Sequence, residues 1–406
     1  MGCNSGIDAM LRFVGMVGFC LLTAACATLP EVRYLRSSLT APANPTVTNA
    51  QGTLSATKSK SLLASRWRNS HVDIAALAAL EEAATGSPLI AGNKVTLLYD
   101  GPQTMAAMIA AISTARDHIN LETYIFDQDA LGIRFADALI ERQRAGVQVN
   151  VIYDSVGTIG TPQAFFDKMR AAGIRLLAFN PVNPLRLLGP WQPNNRDHRK
   201  ILVVDGMVAF TGGVNISSTY ANSSLFRSKA RRNAKVGWRD THIRIEGPAV
   251  AALQWVFLDN WASQQSPDLP DSNFFPPLKE AGNKLVRVLA SAPGGDYDIY
   301  KAYVLAIQQA KNSIHITSAY FVPDAQMLQA LNDAARRRRQ NHFARSDRQR
   351  PGVPCGAILL QRNAGQRHQD PSAANHGPAR QDRRDRRRVG DGRVDQYRHP
   401  QLPAQL

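Results

Sequence analysis

The chain has few cysteines, and their positions exclude two kinds of site. Only four of the 406 residues are cysteine; three lie within the first 26 residues and the fourth lies in the C-terminal tail. The long segment between Cys26 and Cys355 therefore holds neither a disulfide nor a thiolate metal site. No group of His, Asp and Glu shows metal-ligand spacing either, so we expect no metal and no cofactor.

Lysine and glutamate are missing from the last part of the chain. Residues 336–406 contain 17 Arg and 6 Asp but no Lys or Glu, so they carry +11 of the formal net charge of +16. A net charge of this size ordinarily indicates nucleic acid or an anionic membrane as partner. Because most of it lies in the tail, we do not expect nucleic acid to be the partner of the folded body.

An apolar run of comfortable membrane-spanning length is also missing. The N-terminal run Phe13–Ala25, preceded by Arg12, is shorter than the roughly 20 residues that a spanning helix needs. It ends in Leu-Leu-Thr-Ala-Ala-Cys26, which resembles a bacterial lipoprotein cleavage site with Cys26 as the lipidated residue. Residues 1–27 are therefore predicted to be a signal that places the protein in the cell envelope, membrane-anchored or periplasmic. Ordinary secretory cleavage after Ala27 and retention of the run as an anchor are the alternatives.

The rest of the sequence shows a regular alternation of strand and helix patterns. Residues 28–70, rich in Ser, Thr, Pro and Ala, are predicted to be a linker, and a helix follows near Val72–Ala84. The alternation beyond this helix predicts an α/β sheet covered by helices on both faces. The predicted strands are Val95–Tyr99, Ile119–Phe126, Val147–Asp154 and Ile174–Phe179, and the predicted helices are Thr104–Arg116, Leu131–Ala145 and Pro162–Ala172.

An internal repeat indicates that the fold is duplicated. Ala111–Phe126 aligns without gaps with Ala306–Phe321, and each segment is a helix end that runs into an apolar strand. We therefore predict a first half over residues 71–265 and the start of a second half over residues 283–335. Generic helix–strand similarity is the alternative. Duplication also predicts that a chemical motif of the first half recurs roughly 70 to 90 residues beyond Ala306.

The most informative stretch is Asp197–Asp205, which reads Asp-His-Arg-Lys-Ile-Leu-Val-Val-Asp. Strand periodicity places His198 and Lys200 on one face. The imidazole can attack a bound phosphate or transfer a proton, and the ammonium can neutralise phosphate oxygens. An ordinary buried strand is the competing interpretation. The Gly-Gly-x-Asn turn that follows, with Gly213 and Asn215, favours a site.

The sequence DHRKILVVDGMVAFTGGVNIS, residues 197–217, resembles the first signature motif of the phospholipase D superfamily, and most closely that of its cardiolipin synthase branch. The segments INLETYIFDQD, WRDTHIRIEGPAV and ITSAYFVPD agree with this resemblance, which covers roughly residues 90–335. It implies a phospholipase D-type duplicated mixed β-sheet flanked by helices. Family members carry one motif in each half, and both motifs meet in one active site. Here the second half is truncated or garbled.

Arginine-rich text stands where the second motif is expected. Lysine-free, arginine-rich sequence of this kind is what GC-rich coding DNA yields when it is read out of frame. Codons that encode Ala379–Arg387 can be chosen so that a reading one base later spells His-Ala-Lys-Thr-Ala-Val-Ile-Asp-Gly, the missing motif. We therefore interpret residues 336–406 as an out-of-frame tail that begins near Arg336–Arg339. A natural disordered basic tail is the alternative.

The resemblance implies roles for individual residues. His198 would be the nucleophile that forms a phosphohistidine, and Lys200 would bind the phosphoryl oxygens. Asp240 would orient the catalytic histidine, although it could instead only pair with a neighbouring arginine. Asp205 completes the catalytic motif with a mainly structural role, and it could be simply a turn residue. Substrate binding would also involve the turn residues Gly213 and Asn215.

These features predict a membrane-associated phosphatidyltransferase of the cardiolipin synthase-like type, which acts on phospholipid phosphodiesters. We expect a phosphatidylglycerol-like phospholipid and the bacterial membrane as its partners, and an activity impaired by the loss of the second motif. The alternatives are a phospholipase D-type hydrolase, a nuclease in which two one-motif chains build one site, and a catalytically dead remnant. Glu122, in a core strand, is one further candidate for the pocket.

Overall fold

A computed structural model describes residues 29–346, apart from residues 43, 71–72, 182–194, 222–236, 265, 293–294 and 319–320. Cys26 with the predicted signal, and the tail from residue 347 onward, lie outside this part of the chain. Among the described helices, none combines the length and the apolar character needed to cross a bilayer.

A mixed ten-stranded sheet forms the centre of the described part of the chain. Its strands are β1 (Val47–Asn49), β2 (Gly52–Thr53), β3 (Leu89–Leu98), β4 (His118–Thr123), β5 (Gln148–Asp154), β6 (Arg175–Phe179), β7 (Ile201–Val204), β8 (Val208–Gly212), β9 (His242–Glu246) and β10 (Lys284–Val286). Their order is β2-β1-β3-β9-β8-β7-β4-β5-β6, and β10 pairs with β3. The β4-β5-β6 block is parallel, whereas β7, β8 and β9 are joined to their neighbours by antiparallel pairing.

Helices cover both faces of this sheet, as the alternation of patterns predicted. They are α1 (Leu35–Ser38), α2 (Ala56–Arg66), α3 (Ile74–Thr85), α4 (Gly101–Ser113), α5 (Ala130–Arg144), α6 (Gln163–Ala171), α7 (Ala249–Ser263), α8 (Asp298–Gln309) and α9 (Ala325–Ser346). The apolar side chains of α4, α5 and α6 form one core cluster with β4 and β5. Those of α7 form a second cluster on the opposite face, against β7, β8 and β9.

The most buried strand is β4, in which all six side chains are buried. It lies between β5, with which it is parallel, and β7, with which it is antiparallel. A strand with neighbours on both edges and helices on both faces has no face left for solvent, so polar residues in it need internal partners. Asn120 finds one across the β4–β5 pair, where its side-chain oxygen accepts a hydrogen bond from Asn150 Nδ2 at 2.7 Å.

Two helices begin earlier than their apolar pattern predicted, and aspartate caps explain the shift. Helix α4 starts at Gly101, because the carboxylate of Asp100 accepts a hydrogen bond from Gln103 N at 2.9 Å and Pro102 fits the first turn. Asp129 caps α5 in the same way and accepts from the backbone N–H groups of the first turn. Hydrophobic periodicity alone does not detect such a first turn.

Part of the segment predicted to be a linker is folded onto the sheet. Residues 47–53 form β1 and β2 at one edge, where β1 pairs in parallel with the start of β3. Val47 and Leu63 are almost completely buried in one apolar cluster with Leu89. Residues 47–66 thus contain two strands and a helix within the segment predicted to be a linker. A few buried apolar side chains hold this otherwise polar segment, which composition alone does not reveal.

The hairpin between β7 and β8 fixes the far end of the motif strand. Asp205 and Gly206 both have positive φ, 53° and 62°, as the central residues of a type I′ turn require. The carboxylate of Asp205 accepts hydrogen bonds from the backbone N–H groups of Arg116, Asp117 and His118 at 2.8 to 3.1 Å. These bonds join the turn to the start of β4.

The second repeat has a different structure from the first. Its helix α8 forms as expected, and α9 packs against it. Residues 310–318, which align with the approach to β4 and with β4 itself, contain no strand. The apolar strand that the repeat predicted after this helix is thus not formed in residues 310–318.

Candidate active site

His198 and Lys200 lie together where the chain enters β7. Lys200 is only 5% exposed, and its Nζ donates a hydrogen bond to the carbonyl oxygen of His198 at 2.6 Å. Tyr124, just beyond β4, contacts both side chains. Its ring centre is 4.7 Å from that of His198 and 5.4 Å from Lys200 Nζ. Tyr124 therefore holds the imidazole of His198 and the ammonium group of Lys200 close together.

Burial sets the charges of this pair. It lowers the pKa of Lys200 to about 8, and the nearby carboxylates, Asp197 first, offset this only in part. Burial also lowers the pKa of His198, and the positive charge of Lys200 lowers it further. At neutral pH most Lys200 is still protonated, and the lowered pKa of His198 favours its neutral form. A neutral imidazole beside a cation suits nucleophilic attack on a phosphate ester.

Asp240 approaches the Gly-Gly turn because residue 213 has no side chain. A Cβ on Gly213 would lie 2.7 Å from Asp240 Oδ1, which is too close for any larger residue without a shift. Burial raises the pKa of Asp240, and the charge of Lys200 opposes this increase. Asp240 therefore lies close enough to Lys200 for their charges to interact. No ion pair to Arg239 or Arg244 is found for it within the described part of the chain.

Asn215 is buried and its side chain is occupied within the protein. Its Oδ1 accepts a hydrogen bond from Ile125 N at 3.1 Å, and its Nδ2 donates to Tyr220 Oη at 2.9 Å. These bonds tie the turn after β8 to the chain that leaves β4. In this structure Asn215 therefore supports the site from behind, and its predicted contact with phosphoryl oxygens stays a prediction.

Asp205 lies at the other end of β7 from His198. Six residues separate the two, and the four of them that form β7 alone span about 13 Å at the usual rise per residue. Its carboxylate is held by the backbone N–H groups before β4, as described above. The contacts of Asp205 are thus those of a structural residue of the motif.

His242 is a site residue that the sequence analysis did not single out. It is 1% exposed, and its Nδ1 accepts a hydrogen bond from Val214 N at 3.4 Å. That bond places the proton on Nε2, which has no partner in the described part of the protein. Burial, with the charge of Lys200, lowers the pKa of His242 to about 3. The signal was available, because Asp240 and His242 are two residues apart on one extended segment and share a face.

Glu122 lies behind the site and not in the pocket. It is fully buried on β4, where Oε1 accepts a hydrogen bond from Asn260 Nδ2 at 2.9 Å. The same amide nitrogen donates to Asp197 Oδ2 at 3.1 Å. Sequence patterns gave no reason to connect Asn260, on α7, with the residue that precedes His198.

A cavity of about 1490 Å³ opens beside these residues. One part of its wall is polar and contains His198, Lys200 and His242. Further polar residues line the cavity, among them Asp197, Arg199 and Arg287, and an apolar part of the wall contains Ile243, Ile245, Leu253, Val256, Val286 and Val288. Within the described residues, no group of three or more His, Cys, Asp or Glu could hold a metal ion. The site thus combines an imidazole and an ammonium group with an apolar surface.

Comparison with known proteins agrees with this chemistry. Residues 108–225 match the family model for the phospholipase D-like domain of cardiolipin synthase. The chain is 37% identical over 248 residues to the major cardiolipin synthase ClsA of Bacillus subtilis, which covers 60% of this chain and 49% of that protein. It is also 37% identical over 251 residues to the cardiolipin synthase of Geobacillus kaustophilus, with 61% and 48% covered. The chain spans about half the length of these relatives.

Among solved structures, the phosphatidylserine synthase of Haemophilus influenzae Rd KW20 resembles the chain at 11% identity. The match has a TM-score of 0.38 and covers 60% of this chain and 59% of that one.

Proposed function

We propose that this chain, a member of the phospholipase D superfamily of the cardiolipin synthase-like type, comes from a membrane-associated phosphatidyltransferase. Such an enzyme moves the phosphatidyl group of one phospholipid onto a hydroxyl group of another lipid. The observation that carries the proposal is the pairing of His198 with the buried cation Lys200 beside a large, mostly apolar cavity. An apolar wall next to a phosphate-directed nucleophile suits a substrate with acyl chains.

In the first step a nitrogen of His198 would attack the phosphorus of the bound phospholipid. A phosphorus–nitrogen bond forms, and the bond to the headgroup oxygen breaks, which leaves an alkoxide that needs a proton. Lys200 would neutralise the phosphoryl oxygens as negative charge develops on them. Asp240, close to Lys200, would help to keep the imidazole in the required orientation. In the second step the hydroxyl of an acceptor lipid would attack the phosphohistidine and release His198.

The proton in both steps would be carried by a second histidine. Family resemblance assigns it to the second motif, which the sequence analysis finds only out of frame, at Ala379–Arg387. The chain as given would then hold the nucleophile without its acid and base. We propose that the frame-restored parent is active and that the present chain is impaired.

A phosphatidylglycerol-like phospholipid is the proposed substrate, and a bacterial membrane is the proposed partner. Support comes from the names of the similar proteins and from the apolar wall of the cavity. Lipidation of Cys26 would hold the protein at that membrane in the cell envelope. Blocking the lipoprotein signal peptidase should then leave a longer precursor, whereas an unlipidated mature protein that begins at Thr28 would contradict the lipidation.

The function is tested by expressing the present chain and a frame-restored chain in a bacterial host that lacks its own cardiolipin synthases. Cardiolipin measured by mass spectrometry should appear with the restored chain and be absent with the present one. A restored chain with His198→Ala serves as the matched control and should give none.

Equal cardiolipin from the present and the restored chains would show that the tail is irrelevant to activity. Phosphatidic acid in place of cardiolipin would point to a hydrolase that uses water as the acceptor. No product from either chain would contradict the phosphatidyltransferase proposal.

A further inference from the structure

Two carboxyl groups that the proposed mechanism does not use lie side by side behind the motif. Glu122 of β4 is 0% exposed, and Asp197, directly before His198, is 4% exposed. A single side-chain nitrogen, Asn260 Nδ2 of α7, donates to Glu122 Oε1 at 2.9 Å and to Asp197 Oδ2 at 3.1 Å. Because one amide group reaches both, the two carboxyl groups must be immediate neighbours.

Few positive charges are available to compensate this pair. Arg199 Nη1 is 3.4 Å from Glu122 Oε1, and Nη2 of the same residue donates to the carbonyl of Ser291 at 3.1 Å. Lys200 interacts with Asp197 and, more weakly, with Glu122. The other charged groups that face the pair are Asp154, at the end of β5, and Arg196, whose Nη1 is 3.6 Å from Asp154 Oδ1.

One atom of the pair has no hydrogen-bond partner among the described residues. This atom, Glu122 Oε2, is buried. A proton on Glu122 would let it donate to Asp197, which satisfies this atom and removes one of two adjacent buried charges. Burial and then the charge of Asp197 raise the pKa of Glu122 well above its usual range, against the opposing effects of Arg199 and Asn260.

We propose that Glu122 and Asp197 share one proton and act together as positioning residues for His198. Asp197 connects the carboxyl pair to the main chain on either side of His198. Its N–H donates to Asp154 Oδ2 at 2.9 Å, and its Oδ1 accepts from Arg199 N at 3.1 Å. His198 lies between these two bonded positions, so its direction into the cavity depends on the carboxylate of Asp197 staying in place. The shared proton and the Asn260 amide hold that carboxylate.

Loss of the proton would oppose this arrangement. Two ionised carboxylates in a buried site repel each other, so Asp197 would shift and carry the main chain of His198 with it. The pair therefore makes the geometry of His198 dependent on pH through a group that does not touch the substrate. This inference rests on the proposed function, in which His198 is the nucleophile, and it adds a pair of residues that position His198.

The test is a histidine titration by nuclear magnetic resonance on the full chain labelled at histidine Cε1, with the His198 signal assigned from His198→Gln. In the unsubstituted chain, the His198 signal should show its own titration and a second inflection where Glu122 loses its proton. Glu122→Gln, which keeps a neutral donor, should leave the first midpoint unchanged and abolish the second inflection. Glu122→Met, similar in size but apolar, should shift the first midpoint or broaden the signal. Asp137→Asn, an exposed carboxylate on α5, is the control that should change nothing.

Asp197→Asn sharpens the test and remains informative if Glu122→Met fails to fold. Removing the neighbouring negative charge should move the second inflection to lower pH, because that charge raises the proton affinity of Glu122. The proposal is overturned if the unsubstituted chain shows no second inflection, if Glu122→Met behaves like Glu122→Gln, or if Asp197→Asn leaves the inflection in place. None of these readings needs turnover, so they stand apart from the test of phosphatidyl transfer.

Discussion

The two copies of the internal repeat have similar sequences but different structures. In the first copy, Leu121 lies in the centre of β4 and is 1% exposed. In the second copy, the aligned residue Ile316 is 42% exposed, and residues 310–318 form no strand. The helix that precedes each of these segments is formed in both copies. The two copies therefore begin to differ at the strand, which needs neighbouring strands from outside the repeat.

The first copy identifies the strand partner that the second copy does not have among the described residues. β4 pairs along one edge with β7, and β7 is the strand that the His-x-Lys-x4-Asp motif enters. The motif thus supplies both the proposed catalytic side chains and the strand that pairs with β4. An out-of-frame tail would remove both from the second half at once. This comparison indicates that strand pairing, more than local propensity, decides whether the apolar pattern becomes a strand.

The largest expected effect is a difference in kcat/KM between a variant of His198, in the first half, and a variant of His315, in the second. In the frame-restored chain, His198→Ala should lower kcat/KM by at least about 10⁴-fold, because the proposed nucleophile is lost. His315, exposed in the present chain, aligns with Asn120 and has no part in the proposed covalent step, so His315→Ala should lower kcat/KM of the folded enzyme by less than about tenfold. Steady-state phosphatidyl transfer measures both, and a near-normal rate for His198→Ala would remove the proposed mechanism.

We expect a similar difference in kcat/KM between variants of Lys200 and of Lys311. Lys200→Ala should lower kcat/KM by about 10²- to 10³-fold, roughly 3 to 4 kcal/mol, as for the loss of one preorganised donor to a developing negative charge. Lys311→Ala, at an exposed position of the second repeat, should have little effect. If the two variants lose activity equally, the position of Lys200 beside His198 has no special role.

The difference in burial between Leu121 and Ile316 can be measured through the free energy of unfolding. Leu121→Ala should lower the free energy of unfolding of the present chain by about 3 kcal/mol, because a buried side chain leaves a cavity. Ile316→Ala should change it by less than about 0.5 kcal/mol in the same chain. Denaturant unfolding gives both values. In the frame-restored chain Ile316→Ala should become as costly as Leu121→Ala, and equal small effects in both chains would contradict the account.

The smallest effect concerns pH. The pKa of Lys200 is lowered to about 8, so the protonated form that neutralises phosphate is largely present at pH 7 and is lost as the pH rises. Transfer by the restored chain should fall about tenfold between pH 7 and pH 9 through this group alone. Lys200→Arg keeps its charge over this range, so its profile should lose that alkaline decline. An unchanged decline in Lys200→Arg would assign it to another group.

Local patterns predicted those features that depend on neighbouring residues in sequence. The alternation of strands and helices, the pairing of His198 with Lys200 on one face, and the Asp205–Gly206 turn all follow from periodicity or turn chemistry. Other features join distant positions, such as Glu122 with Asp197 through Asn260. The folded residues 47–66 belong to the same class, because their burial depends on β3. Neither periodicity nor composition contains that information.

The comparison of the two repeats is tested most directly by amide hydrogen exchange in the present and the frame-restored chains. Peptides that cover residues 118–123 should be strongly protected in both chains, because β4 is paired on both edges. Peptides that cover residues 313–318 should exchange rapidly in the present chain and become protected when the frame is restored. Equal protection of residues 313–318 in both chains, or rapid exchange in both, would contradict the claim that the second half is incomplete for lack of its motif strand.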